Sequence, residues 1–234
     1  MKVYCLSAFK HSGKDMIAQY LVESFNATRV SFADPLKDLA SDEYGVNRDF
    51  FDDPARKESP ILDMPVDPQD GFTKMVSEFM AKEFRTFHGK QPLGFEYLNN
   101  TFFGVIQGEL EPILVPLYHT PRSLAILKGS TNRVVRSNYW VQKAIKTIKD
   151  DHEVIGQEVF VISDMRYKSE IAQLKEAFGD DAVTIRINRF DTSPSSDPSE
   201  LDLVGVKHDY EIENKTTKEE AQRQMGVIVL KDIE

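Results

Sequence analysis

Apolar positions along the chain change period several times, and each change marks an element. Residues 2–7 (KVYCLS) are a short apolar run with β-prone members, the pattern of a strand buried on both faces. Over 14–25 the period lengthens: Ile17, Leu21 and Phe25 recur every four residues, the stripe of an amphipathic helix. Residues 28–32 (TRVSF) predict a second strand. Asp34-Pro35 follows as an N-cap and first-turn pair, with Leu36, Leu39 and Ala40 continuing a helix. The chain therefore begins β-α-β-α.

The alternation is then interrupted. Residues 46–70 are rich in Asp, Pro and basic residues, lack periodicity and predict a long loop. Residues 72–87 predict a helix, with Phe72, Met75, Val76, Phe79, Met80, Phe84 and Phe87 on one stripe. Residues 90–119 mix Gly and Pro breakers with aromatics and yield no assignment. Thr120-Pro121 starts a short helix that Gly129 should stop, and Val141, Ile145 and Ile148 predict another over 138–150. The period-2 and period-4 alternation returns afterwards. Strands are expected at 157–163, 182–188 and 208–213, with a helix over 166–178 ended by Gly179. Residues 190–200, rich in Ser, Pro and Asp, predict a surface loop. A capping box at Thr216-Thr217-Lys218-Glu219 predicts the start of a final helix. Five strands separated by helices imply an α/β fold: a parallel five-stranded sheet with helices on both faces. Residues 46–150 form an insertion expected to be mostly helical, within one domain spanning 1–234.

The junction between the first strand and first helix carries the clearest chemistry. Ala8-Phe9-Lys10-His11-Ser12-Gly13-Lys14-Asp15 lies where a phosphate-binding loop belongs. Backbone N–H groups and the helix N-terminus there favour a phosphate, Gly13 permits close approach, and Lys14 supplies a point charge. The pattern departs at both ends. Ala8 stands in place of Gly, which is tolerable if its φ is negative. Asp15 replaces the hydroxyl residue that ordinarily ligates Mg²⁺; a carboxylate is also a hard oxygen ligand, or else a first-turn acid favoured by the helix dipole.

Ser12-Gly13-Lys14-Asp15 resembles the phosphate loop of bacteriophage deoxynucleoside monophosphate kinases. Ser31-Phe32-Ala33-Asp34-Pro35-Leu36-Lys37 resembles that family's second motif. Thr120-Pro121-Arg122-Ser123-Leu124, Gly129-Ser130-Thr131 and the run from Arg133 to Val141 are similar to its Arg-rich lid and following helix. Ser163-Asp164-Met165-Arg166, with Glu170 after it, matches its Asp-x-Arg signature, and Ser196-Asp197-Pro198-Ser199-Glu200 resembles a late loop that often carries a His in relatives. The motifs span the chain apart from roughly residues 60–115.

The resemblance implies a P-loop kinase fold with a helical lid within 46–150, and transfer of the γ-phosphoryl group of ATP to a deoxynucleoside monophosphate with Mg²⁺. Lys10, His11, Ser12 and the rest of the 8–15 loop would then hold ATP. Arg122, Arg133 and Arg136 would neutralise the phosphates on closure, or else form a solvated face. Asp164, at the end of an apolar strand, is placed to hold metal together with Asp15, and of the two is the more rigidly set; its alternative is a helix cap. Arg166 would bind the acceptor phosphate bidentately, or pair with Glu170 along a helix. Asp34, Lys37 and Arg56 are further acceptor-site candidates, and Arg189, at a strand end, could bracket the base and phosphates of ATP.

Composition narrows the field. A net charge of −9 over 234 residues disfavours general duplex binding, so small-molecule nucleotides are the expected partners rather than nucleic acid. A hydrophobic content of 41% with 15 Phe excludes intrinsic disorder. Cys5 stands alone, no zinc spacing occurs and no apolar run approaches about 20 residues. A reducing cytosol is the expected compartment (the host's, for a phage product), with no membrane span; a homodimer is compatible. Two rivals remain: a kinase of another acceptor, such as a hydroxymethylated base in DNA or a small phosphorylated metabolite, and a non-catalytic nucleotide-binding module.

Overall fold

The computed structural model describes residues 1–66, 93–98, 101–108, 111–190, 192 and 201–233. The helix expected over 72–87 lies outside the described residues, as does most of the 190–200 loop. The chain divides into two compact units, one formed by 1–35 with 136–234 and the other by 36–135.

The first unit contains β1 (Lys2–Ala8), α1 (Lys14–Phe25), β2 (Thr28–Val30) and the start of α2 (Ala33–Tyr44). After the second unit the chain returns as α4 (Tyr139–Ile155), β6 (Val159–Ile162), α5 (Lys168–Phe178), β7 (Ala182–Asn188), β8 (Tyr210–Glu213) and α6 (Lys218–Ile233). All five strands are parallel, in the order β2-β6-β1-β7-β8. The α/β fold with a five-stranded parallel sheet is thus the one expected.

Strand alternation sorts the core. Tyr4, Leu6, Val161, Val183, Ile185 and Ile187 share one cluster with Ile17 and Leu21 of α1 and Ala221, Met225 and Val229 of α6. The intervening residues Val3, Cys5, Phe160 and Ile162 are buried on the other face, where α4 and α5 pack together. Burying one such aliphatic side chain is worth about 1.5–3 kcal/mol, so the central strand is fixed from both sides. Burial pushes the Cys5 thiol up to about 12, which leaves it un-ionised at neutral pH.

Glycine and asparagine end the helices. Asn26 closes α1 and Gly156 closes α4, both in the left-handed conformation, and Gly179 closes α5 as expected. The final helix is capped by Thr217, whose hydroxyl accepts the N–H of Glu220.

The second unit departs from expectation in two places. The first is 94–116, which the sequence left unassigned: β3 (Gly94–Leu98), β4 (Thr101–Gln107) and β5 (Pro112–Pro116) form an antiparallel three-stranded sheet. Ile106, Leu117 and Val66 are the buried residues beside it. The second is that α3 (Pro121–Val135) runs through Gly129 instead of stopping there. A helical glycine costs roughly 1 kcal/mol against alanine, and here it answers a packing demand. A Cβ at Gly129 would lie 2.6 Å from Cδ1 of Leu36 in α2. The start of α3 is as predicted: Thr120 and Ser123 cap each other, N–H to hydroxyl in both directions, at 2.8 and 3.0 Å.

Candidate functional site

The site is assembled at the carboxyl ends of the parallel strands, where β1 turns into α1. Ser12 N–H bonds back to the Phe9 carbonyl at 3.2 Å, and Gly13 carbonyl accepts the first helical bond from Ile17. His11 and Gly13 are left-handed, with φ of 66° and 92°, while Ala8 and Ser12 are not among the positive-φ residues. Ala8 therefore meets the condition under which it can replace glycine. The alternating signs of φ along 11–13 are the backbone pattern of an anion-binding concavity, and they lead directly into the N-terminus of a twelve-residue helix opened by Lys14.

Gly13 is required for two reasons. Its φ of 92° disfavours any L side chain, and a Cβ there would meet Nδ2 of Asn214 at 2.5 Å. That amide donates to the Ser12 carbonyl at 2.9 Å, and the Asn214 N–H donates to the Asn188 carbonyl at 2.8 Å. The loop is held from a second direction by the turn after β7. Arg189 Nη1 donates to the His11 carbonyl at 3.4 Å, and the Ser12 and Thr192 hydroxyls lie 3.1 Å apart. Arg189 is thus brought beside the 8–15 loop. Asn214 and Thr192 carried no signal in the sequence: a single polar residue after a strand is ordinary.

Beneath the loop, Ser7 and His208 form a buried pair. His208 Nδ1 faces the Val206 carbonyl at 2.9 Å, so that nitrogen carries the proton and Nε2 accepts from Ser7 Oγ at 2.8 Å. Burial holds the imidazole below its ordinary pKa of 6.5.

Asp164 proves to be committed. Its Oδ1 accepts the Phe32 N–H at 3.0 Å, and its Oδ2 accepts the Ala33 N–H at 3.0 Å and the Ser31 hydroxyl at 2.9 Å. Three of roughly four acceptor positions on a carboxylate are used. Asp164, with Ser31, therefore caps α2 from across the sheet. This corrects the expectation that Asp34 is the cap: α2 begins at Ala33, and Asp34 lies inside its first turn.

Asp15 is the more accessible acid. Its Oδ1 accepts from Nη2 of Arg29, and its side chain is 74% exposed. A hard divalent cation fits this donor set: one exposed loop carboxylate beside the place where nucleotide oxygens would lie, since Mg²⁺ ordinarily takes one or two carboxylates plus phosphates and water. Among the described residues no cluster of three or more acidic, His or Cys ligands occurs.

Glu170, a member of the Asp-x-Arg signature, serves as a cap for α5. Only 4% of it is exposed, and Oε2 accepts the N–H groups of Arg166 and Tyr167 at 2.7 and 2.9 Å. Arg166 and Glu170 are thus linked through the backbone N–H of Arg166 among their contacts.

Lys37, Arg56 and Arg122 of the second unit have anionic partners there. Lys37 donates to Asp52 at 2.6 Å, and Arg48 bridges Asp38 and Asp52. Arg56 pairs with Asp53 at 3.3 Å and lies over the Phe50 ring. Arg122 pairs with Glu58 at 2.5 Å, and its N–H donates to the Lys57 carbonyl. Arg133 is in the last turn of α3. Arg136 belongs to the first unit, where its Nε donates to Asn138.

No protein-family model matches the chain. Over 96 residues it is 32% identical to the deoxynucleotide monophosphate kinase of Enterobacteria phage T4. That match spans 40% of this chain and 40% of the phage protein. Among solved structures, dephospho-CoA kinase from Campylobacter jejuni aligns over 100% of this chain and 98% of its own, at 12% identity and a TM-score of 0.41. Over two fifths of its length, then, the chain is similar to a nucleotide kinase.

Proposed function

We propose that the protein transfers the γ-phosphoryl group of ATP to a deoxynucleoside monophosphate. The observation that carries this reading is the 8–15 loop. Its left-handed His11 and Gly13 precede Lys14 at a helix start, in a chain similar in part to a nucleotide kinase. A non-glycine residue held left-handed costs of order 1–3 kcal/mol, persists where the surrounding structure over-determines it, and is enriched at ligand clamps.

Phosphoryl transfer needs positioning and charge neutralisation more than covalent chemistry. The loop N–H groups and the α1 N-terminus bind the β-phosphate, and Lys14 neutralises the β- and γ-oxygens. Arg189 and Asn214 hold the loop in shape through the His11 and Ser12 carbonyls. Asp15 would hold Mg²⁺, which when bound draws charge from the β- and γ-oxygens. Arg122, Arg133 and Arg136 are the candidates for further positive charge in the reaction, and Glu58 is the partner of Arg122. Arg166 and Asp34 are the acceptor candidates of the first unit and Lys37 and Arg56 those of the second, and Asp164 holds the 31–33 turn that leads to Asp34.

Steady-state ADP release with ATP and each deoxynucleoside monophosphate in turn tests the reading. The expected result is saturable turnover with at least one of them. Turnover confined to other phosphorylated metabolites or to hydroxymethylated DNA would replace the acceptor, and binding without turnover would reduce the protein to a nucleotide-binding module.

A further inference from the structure

A carboxylate in the first turn after a phosphate loop is an electrostatic liability, because the ligand is itself a polyanion. Arg29 answers it. Arg29 lies on β2 in register with Val161 of β6, and Val161 faces α1, so Arg29 is on the α1 side of the sheet. Its Nη2 pairs with Asp15 Oδ1, and its Nε donates to Ser163 Oγ at 3.0 Å. Ser163 is only 2% exposed, and its N–H bonds to the Val30 carbonyl at 3.3 Å. The guanidinium is therefore anchored in the β2–β6 seam before it meets the carboxylate. The side chains of Arg29 and Asp15 are 38% and 74% exposed, and ion pairs of that exposure add little stability. What the pair does change is the charge beside the loop.

We propose that Arg29 is the built-in counter-ion of Asp15: held by Ser163, it cancels the carboxylate so that the loop can accept a nucleoside triphosphate without a divalent cation. This rests on the phosphate-loop reading above. When a divalent cation is present, Asp15 has a second cationic partner, so Arg29 matters less. Arg29 is in this sense a positioning residue for nucleotide binding, and its influence depends on metal in a way that a purely structural arginine's would not.

The test is calorimetric ATP binding to the full chain, in excess EDTA and in excess Mg²⁺. Arg29→Gln should weaken metal-free binding by about tenfold and Mg²⁺-supported binding by less than about threefold. Asp15→Asn in the Arg29→Gln background should recover metal-free affinity to within about threefold of wild type, because the unpaired charge is gone. Asp15→Asn alone leaves the Arg29 charge uncompensated, should tighten metal-free binding by about threefold, and serves should Arg29→Gln fail to fold; an unchanged or weaker metal-free affinity there overturns the proposal. Equal losses with and without metal, or a double variant no better than Arg29→Gln, overturn it as well. A wild-type chain that binds no nucleotide in either condition sinks the phosphate-loop reading itself, a result distinct from a flat Arg29 series.

Discussion

The Asp164 carboxylate accepts the Ala33 N–H at 3.0 Å across 131 positions of sequence, and so joins the segment after β6 to the first turn of α2. A residue at a strand end beside a phosphate loop invites a reading as metal ligand. Its three hydrogen bonds make it the organiser of the Ser31–Ala33 turn instead.

Replacing Asp164 by Asn should consequently cost stability first. One amide oxygen cannot serve Phe32, Ala33 and Ser31 as two carboxylate oxygens do. A loss of about 1–3 kcal/mol in urea unfolding is expected. The Mg²⁺ concentration for half-maximal turnover should shift more for Asp15→Asn than for Asp164→Asn. A stable Asp164→Asn with a greatly raised Mg²⁺ requirement would return the metal to Asp164.

Lys14→Ala should leave the fold intact, since Lys14 begins α1 at its half-exposed end. Removing a charge that acts on the transferring phosphoryl group should cost ~2–4 kcal/mol of barrier, by analogy with other preorganised donors. Circular dichroism and turnover, measured together, decide it. A folded variant retaining more than about a tenth of wild-type turnover contradicts the role given to Lys14.

Gly13→Ala meets two obstacles that can be separated. The left-handed backbone costs about 1–2 kcal/mol for any L residue, and the new methyl collides with Asn214. ATP binding should weaken in Gly13→Ala. The Gly13→Ala/Asn214→Ser pair should regain part of the affinity, the collision being removed but not the backbone strain. No recovery in the pair would mean that the backbone term alone governs the position.

Stability should depend on pH through His208. Burial lowers its pKa in the folded protein below the ordinary 6.5, with Arg186 adding to the effect and Glu211 and Asp209 opposing it. Below pH 6.5 the unfolded chain takes up a proton that the folded chain refuses, so stability falls as pH falls. The slope from this group is at most about 1.4 kcal/mol per pH unit. Urea midpoints between pH 5 and 7.5 should fall less steeply for His208→Gln, whose amide can still accept from Ser7. Identical slopes would remove His208 as the cause.

Much of the first unit was legible in the sequence because its signals are local. The change of period at Lys14, the Gly179 after Phe178 and the alternation over 182–188 lie within a few residues of what they determine, and α1 and β7 have the expected limits. The β3–β5 sheet was not legible, since Gly and Pro interrupt any run long enough to show a period. Gly129 misled because its meaning depends on Leu36, a partner in another helix. In the site, Lys14, Asp15 and Arg189 were readable from motif and strand end. Asn214 and Arg29 were not, because each acts on a loop residue through a contact far away in sequence.

The order of the strands has a consequence for how the chain is made. β1 is the middle strand, yet Lys2 has its partner at Val159, and Val3 through Ala8 have theirs at Ala182 through Ile187. At translation speeds of about 5–20 residues per second, the first strand leaves the ribosome on the order of ten seconds before its neighbours exist. For that interval its apolar residues are unpaired, with the second unit emerging in between. Chains stalled before β6 should be the ones that chaperones hold or that aggregate, and release past β7 should mark the point at which the nascent sheet can close.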